Sequence, residues 1–167
     1  MKVTSAYANK LIKKLQEEKN FLIDKECKNH TYVAAVDEDP VIPEYDFILN
    51  TKEINMIDEK IANIRHAINF TNAVNTIYVN DITMTIDTAL VKMAQLNVRK
   101  QALDTMRKKQ PKARVNNIYN NKTIEYSYAN YNIADAQTEY DRVSSLITAI
   151  QLELDKYNQT VLFEITE

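Results

Sequence analysis

Two short runs of the 167-residue chain hold the side chains best suited to chemistry. In the first, Cys27 stands three positions before His30, and Glu18 falls on the inward register of the same helical pattern. A thiol beside an imidazole could serve as nucleophile and base, but that chemistry also needs an orienting group and an oxyanion-binding loop, and the sequence offers neither. The plainer expectation is a partly buried reduced thiol, an ordinary His30, and a Glu18 at the edge of an apolar stripe with its carboxylate reaching water. Glu18 would act as a general acid only inside a pocket. In the second run, Arg107, Lys108, Lys109, Lys112 and Arg114 concentrate positive charge ahead of Tyr119, Tyr126, Tyr128 and Tyr131. Cations interleaved with aromatic rings can hold a phosphate backbone and stack bases. They can equally be a solvated helix end, where positive charge complements the dipole, followed by a tyrosine-lined β surface. Such tyrosines also suit an oligomer interface, because the ring buries apolar area while the hydroxyl finds a partner.

Composition removes several classes of function. A di-iron site in a helical bundle needs Glu-x-x-His on two helices. Neither His30 nor His66 follows a glutamate at that spacing, and His66 projects away from the apolar stripe of its helix, so no metal site and no cofactor are expected. The chain has no glycine, which removes dinucleotide fingerprints, Gly-rich phosphate loops and calcium loops. Cys27 is the single cysteine, so no internal disulfide can form. A net charge of -2 gives no global pull toward nucleic acid, which is disfavoured as a partner. No apolar run approaches the roughly 18 residues of a membrane span, and Met1 to Leu15 lacks the pattern of a secretory signal. A cytoplasmic location is therefore expected, with the Asn-x-Thr triplets at Asn29, Asn69, Asn121 and Asn158 unglycosylated.

The elements that must carry these residues are long helices. From Ile133 to Tyr157, Ala136, Tyr140, Val143, Ile147, Ile150, Leu154 and Tyr157 recur at spacings of four and three and draw one apolar stripe. A first helix is predicted from Thr4 to Tyr32 on Ala8, Leu11, Leu15 and Leu22, ended by an acidic loop containing Pro40 and Pro43. A second spans Tyr45 to Asn72, with Phe47, Ile54, Ile57, Ile61, Ile64 and Ile68 at near-heptad, coiled-coil-like spacing. Asn50 and Thr71 extend that stripe and are expected to be wet helix ends. A third helix, Ile86 to Lys109 behind a Thr85 cap, turns Ala89, Leu90, Met93, Leu96, Leu103 and Met106 inward. Between the second and third, Thr76 to Val79 and Ile82 to Thr85 flank Asn80-Asp81 and read as a hairpin. Lys122 to Tyr128 alternates like a strand and could extend that hairpin within the chain or across subunits. The sum is a mainly α, single-domain, antiparallel four-helix bundle with a small β-hairpin or three-stranded β element near 76–85 and 122–128.

Ile68-Asn69-Phe70-Thr71-Asn72, the Thr83-Met84-Thr85-Ile86 step, the Ile124-Glu125-Tyr126 strand and the long last helix followed by Asn158-Gln159-Thr160 resemble the septicolysin-like family of mostly uncharacterised bacterial proteins. The chain departs from that pattern in its glycine-free hairpin turn and Asn-rich linker. The resemblance implies a pore-forming, membrane-active cytolysin, that is, a toxin, and supplies no catalytic residues.

The residues themselves favour an oligomeric structural or protein-interaction module without catalysis, its partner a second copy or another protein. Tyr78, Tyr126, Tyr128, Tyr131, Tyr140 and Tyr157 are its candidate contacts, and Arg107, Lys108, Lys109, Lys112 and Arg114 a candidate patch for an anionic partner. Membrane activity is the alternative, and an RNA-binding protein or an enzyme with an unrecognised pocket ranks below it.

Overall fold

The computed structural model describes residues 1–115 and 124–165. Tyr119, the Asn121 triplet and the expected strand start at Lys122 lie outside the described residues. Strand β1 (Lys2–Thr4) leads into α1 (Ser5–Asn29), and α2 (Phe47–Val74) follows an irregular acidic connection. Then come β2 (Thr76–Val79), β3 (Ile82–Thr85), α3 (Ile86–Arg107), β4 (Lys112–Val115), β5 (Glu125–Tyr128), α4 (Ile133–Thr160) and β6 (Leu162–Glu164). Among the described residues the chain is thus mainly helical, with the four helices that its periodicity predicts and small two-stranded sheets. It divides into two compact units, Met1–Val74 with Lys156–Glu167, and Asn75–Asp155.

In the first unit α1 and α2 lie antiparallel. Their core gathers Val3, Ala8, Leu15, Ile61, Ile64 and Ile165, with Leu11, Ile12, Ile57 and Ile68 packed against it. Thr4 caps α1 by accepting a 3.2 Å bond from the Tyr7 amide, and Asp46 accepts from the Leu49 amide at 3.0 Å at the start of α2. Strand β1 pairs antiparallel with β6, Val3 opposite Phe163. The Met1 ammonium and carbonyl close that ribbon on the carbonyl and amide of Ile165 at 2.8 and 2.9 Å. The apolar tail at Leu162 and Phe163 therefore folds back as a strand.

Asn50 corrects the expectation of wet helix ends. It is only 5% exposed, and its amide donates to the Leu22 carbonyl at 3.4 Å and to the Glu26 carboxylate at 3.2 Å. Thr71 is also buried and donates to the Ala67 carbonyl at 2.7 Å. Both extend the isoleucine stripe, so burial reaches them, and each then requires a hydrogen-bond acceptor. Phe47, expected on that stripe, is exposed. Asn50 already meets Glu26 in the last turn of α1, so Phe47, one turn earlier on α2, lies level with the end of α1 and has little to pack against. Cys27 is exposed too: it follows Glu26, and one residue turns a side chain about 100° away from the α2 side.

The second unit pairs α3 with α4. Leu103, Val143 and Ile147 form its core, ringed by Met93, Leu96, Met106 and Tyr140. Of the predicted α4 stripe, every member is buried except Tyr140, which is half-buried. Leu90, expected to point inward, is exposed, one position off the line of the buried Ala89. The β2–β3 hairpin contacts α3, burying Ile77, Val79 and Met84. At its turn Asn80 and Asp81 have φ of 47° and 64°. That double left-handed geometry is what a primed two-residue turn demands, and Asn and Asp tolerate it best after glycine. Strand β5 extends no hairpin: it pairs with β4, Arg114 opposite Tyr126 and Lys112 opposite Tyr128. No periodicity marks Lys112–Val115 as a strand, because its Lys-Ala-Arg-Val pattern has no buried face.

Leu103 is 1% exposed at the centre of its core, so Leu103→Ala should cost about 2–5 kcal/mol in denaturant unfolding. Asn50→Ala removes the donor to Leu22 and Glu26 and should cost about 1–3 kcal/mol by the same measurement; a change under about 0.5 kcal/mol would show that the buried amide bonds contribute nothing net.

Candidate functional site

Most of the candidate residues lie at the end of α3 and on β4–β5 in the second unit, and a furrow between α1 and α2 opens in the first. At the C-terminal end of α3, Asp104 gathers the positive charge. Arg107 donates from Nε and Nη2 to Asp104 at 2.8 and 2.7 Å, and Lys108 donates to its other oxygen. The Lys108 and Arg107 hydrogen bonds hold the Asp104 carboxyl below its ordinary pKa, and the bond to Asp104 pushes the Arg107 guanidinium higher. Arg107 also donates to Gln137 on α4 at 3.2 Å, and its guanidinium lies 4.0 Å from the centre of the Tyr140 ring. Lys100 approaches the same ring at 5.5 Å. Two of the basic residues are therefore committed to neighbours within the unit, and Tyr140 is a cation–π partner of α3. Tyr131 is committed as well, its hydroxyl donating to the Met106 carbonyl at 2.8 Å.

Farther along, the register of β4 and β5 puts Lys112, Arg114, Tyr126 and Tyr128 on one face of a two-stranded ribbon. The Lys112 ammonium lies 4.1 Å from the Tyr126 ring centre and 5.5 Å from that of Tyr128. All four side chains are exposed, as is Lys109. Tyr78 is exposed on the other hairpin and donates to Asp81 at 2.7 Å, a bond that raises its pKa together with a smaller effect of burial. Tyr157 differs from all of these. It is 5% exposed within the first unit, its hydroxyl is 3.5 Å from Asn72 Oδ1, and burial raises its pKa, an effect the nearby Ser5 partly offsets. Of the six tyrosines, Tyr78, Tyr126 and Tyr128 present rings to solvent, whereas Tyr131, Tyr140 and Tyr157 are engaged inside their own units.

The furrow between α1 and α2 is the surface that sequence reasoning missed. It encloses about 630 Å³ and is floored by Phe21, Leu22, Met56 and Ile57, with Lys14, Glu17, Glu18, Glu53 and Lys60 along its edges. Phe21 is 70% and Met56 48% exposed there. Glu18 lines the furrow and faces Lys14 at 3.8 Å, an exposed pair four residues apart. Past Glu53 it continues into a smaller hollow of about 220 Å³ bounded by Lys25, Glu44, Tyr45, Asp46, Leu49 and Asn50. Burial, with the Glu26 charge second, raises the Tyr45 pKa there. A third hollow of about 530 Å³ joins His66, Phe70 and Thr71 to Phe163. The exposed Phe21 was legible in principle, since it lies beside Leu22 and off the Ala8-Leu11-Leu15 stripe. His30 contacts the Glu26 carbonyl through Nδ1 at 3.0 Å in its role as C-cap of α1. Among the described residues no three His, Cys, Asp or Glu side chains are grouped to hold a metal ion.

These are the surfaces of a mainly helical protein built from paired helices. No family model matches the chain, and no curated protein matches it. Among solved structures it is similar to a functionally unknown conserved protein from Corynebacterium diphtheriae, 14% identical, with a TM-score of 0.68 over 98% of this chain and 100% of that one. At that identity the likeness shows the fold alone. The toxin expectation is corrected: among the described residues no helix is long and apolar enough to cross a membrane, because charged residues interrupt every helix.

Because the Asp104 pKa is lowered by folding, its ion pairs stabilise the protein above the ordinary aspartate pKa, and that contribution is lost as pH falls through the folded value. Lys108→Gln should move the Asp104 carboxyl titration, followed by NMR, upward toward the ordinary value and by more than Arg107→Gln does; an unmoved midpoint would refute the ion-pair assignment.

Proposed function

We propose that the protein is a non-catalytic structural or interaction module that works in the cytoplasm as an assembly of identical copies. Apolar exposure carries this reading: large aliphatic and aromatic side chains on all four helices face solvent, Phe21 on α1 at 70% among them.

The kind of surface supports the same conclusion. Ile48 and Phe70 on α2, Val91 and Val98 on α3 and Leu152 on α4 are all exposed. Single apolar residues on a surface need no explanation, but large aliphatic and aromatic side chains on several helices leave apolar area that association would cover. Tyr78, Tyr126 and Tyr128 add rings with polar tips, the composition favoured where one surface meets another. The furrows are open troughs edged by ion-paired side chains, which suits docking better than the enclosure of a substrate.

An assembly of this kind links stability to concentration. The thermal unfolding midpoint should rise steadily as protein concentration is raised a hundredfold in the micromolar range, followed by circular dichroism. A midpoint independent of concentration would contradict the proposal.

A further inference from the structure

Charge is segregated along this chain. From Thr31 to Asp46 the sequence has five carboxylates and no cation, and from Thr105 to Ile124 six cations and no carboxylate. The net charge of -2 thus conceals two blocks of opposite sign. The acidic block is the irregular connection between α1 and α2. A turn closed by the Glu38 amide on the Ala35 carbonyl at 3.3 Å sets Asp37, Glu38 and Asp39 side by side, all exposed. Among the described residues none of the three has an ion-pair partner. Val33, Val36 and Val41 are at or near full exposure, so the same segment presents apolar area that nothing covers. Pro40 and Pro43 fix their own φ and favour extended backbone at Asp39 and Ile42, which leaves less freedom to lose on docking.

The basic block ends in the β4–β5 ribbon. Its face of Lys112, Arg114, Tyr126 and Tyr128 holds no carboxylate, because Glu125 pairs with Val115 on the opposite face. Arg114 and the exposed Lys109 have no ion-pair partner among the described residues, and the rings beneath Lys112 leave its positive charge unneutralised. Cations here answer carboxylates there, and exposed tyrosine rings answer valine and proline side chains, the pairing by which aromatic surfaces take proline-containing segments. We propose that the acidic segment of one copy docks on the β4–β5 ribbon of a second copy, an inference that rests on the assembly reading above and specifies its contact. Nucleic acid would also bring anions to the ribbon, but each copy that approached it would carry the acidic segment along, and like charges repel.

Two reversals and their mixture test the contact. Sedimentation equilibrium of the full chain should show Lys112→Glu with Arg114→Glu, and separately Asp37→Lys with Asp39→Lys, each weakening self-association about tenfold. In an equimolar mixture the reversed ribbon meets the reversed segment and the native ribbon meets the native segment, so association should return to within about threefold of wild type. Circular dichroism checks that helicity is kept, and Lys109→Glu replaces the ribbon pair if that pair loses it. If the wild type self-associates and either reversal matches it, or the mixture does not recover, the contact lies elsewhere while the assembly reading stands. If the wild type binds a labelled single-stranded RNA, and the ribbon reversal abolishes that binding with self-association unchanged, the ribbon serves nucleic acid and the pairing is wrong. If the wild type is a monomer throughout, both readings fall.

Discussion

An apolar seam on a helix must be covered, and every larger feature of this chain follows from how far its own elements can do so. Two helices laid side by side cover each other along one line. That is enough for Leu15 against Ile61 and Ile64 in the first unit, and for Leu103 against Val143 and Ile147 in the second. Short strands extend the cover. The ribbon of β1 and β6 brings Val3 and Ile165 into the first core, and the β2–β3 hairpin buries Ile77, Val79 and Met84. Beyond those lines large apolar side chains still face outward, and the proposed association of copies would cover them.

Polar contacts add register to a packing force that has no direction. In the first unit Asn50 reaches back to Leu22 and Glu26, and Lys19 to Asp58. A slide of α2 by one turn would strand a buried amide, which costs more than the slide of one leucine past another. In the second unit Arg107 joins Gln137 and Tyr140, and Tyr131 reaches Met106. Of the basic concentration at the end of α3, Arg107 thus helps to hold two helices in register, while Lys108, Lys109, Lys112 and Arg114 are exposed.

Much of the fold was legible because long helices write their burial into a period. The seven-member stripe of α4 is legible almost to the residue, and the Asn80-Asp81 turn announces itself by side-chain chemistry. What could not be read depends on partners distant in sequence. Nothing in Lys112–Val115 says that Glu125–Tyr128 will pair with it, and nothing in Lys2–Thr4 points to Leu162–Glu164. Asn50 and Thr71 were misjudged because polarity suggested water, although their positions on the isoleucine stripe already implied burial. The candidate tyrosines separated by context in the same way: one ring lies in a core, another under an arginine, and others in solvent. The furrow escaped notice since Phe21 and Met56 belong to no stripe, and a residue off the stripe reads as surface until the neighbouring helix builds a wall beside it.

In the proposed assembly, one copy of this chain leaves apolar surface for another to cover. Light scattering on the eluting peak of a sizing column gives the solution mass directly, free of assumptions about shape. A mass that is a whole multiple, two or greater, of the 19.4 kDa chain is expected at micromolar concentration. A peak that holds the mass of one chain as concentration is raised would contradict it.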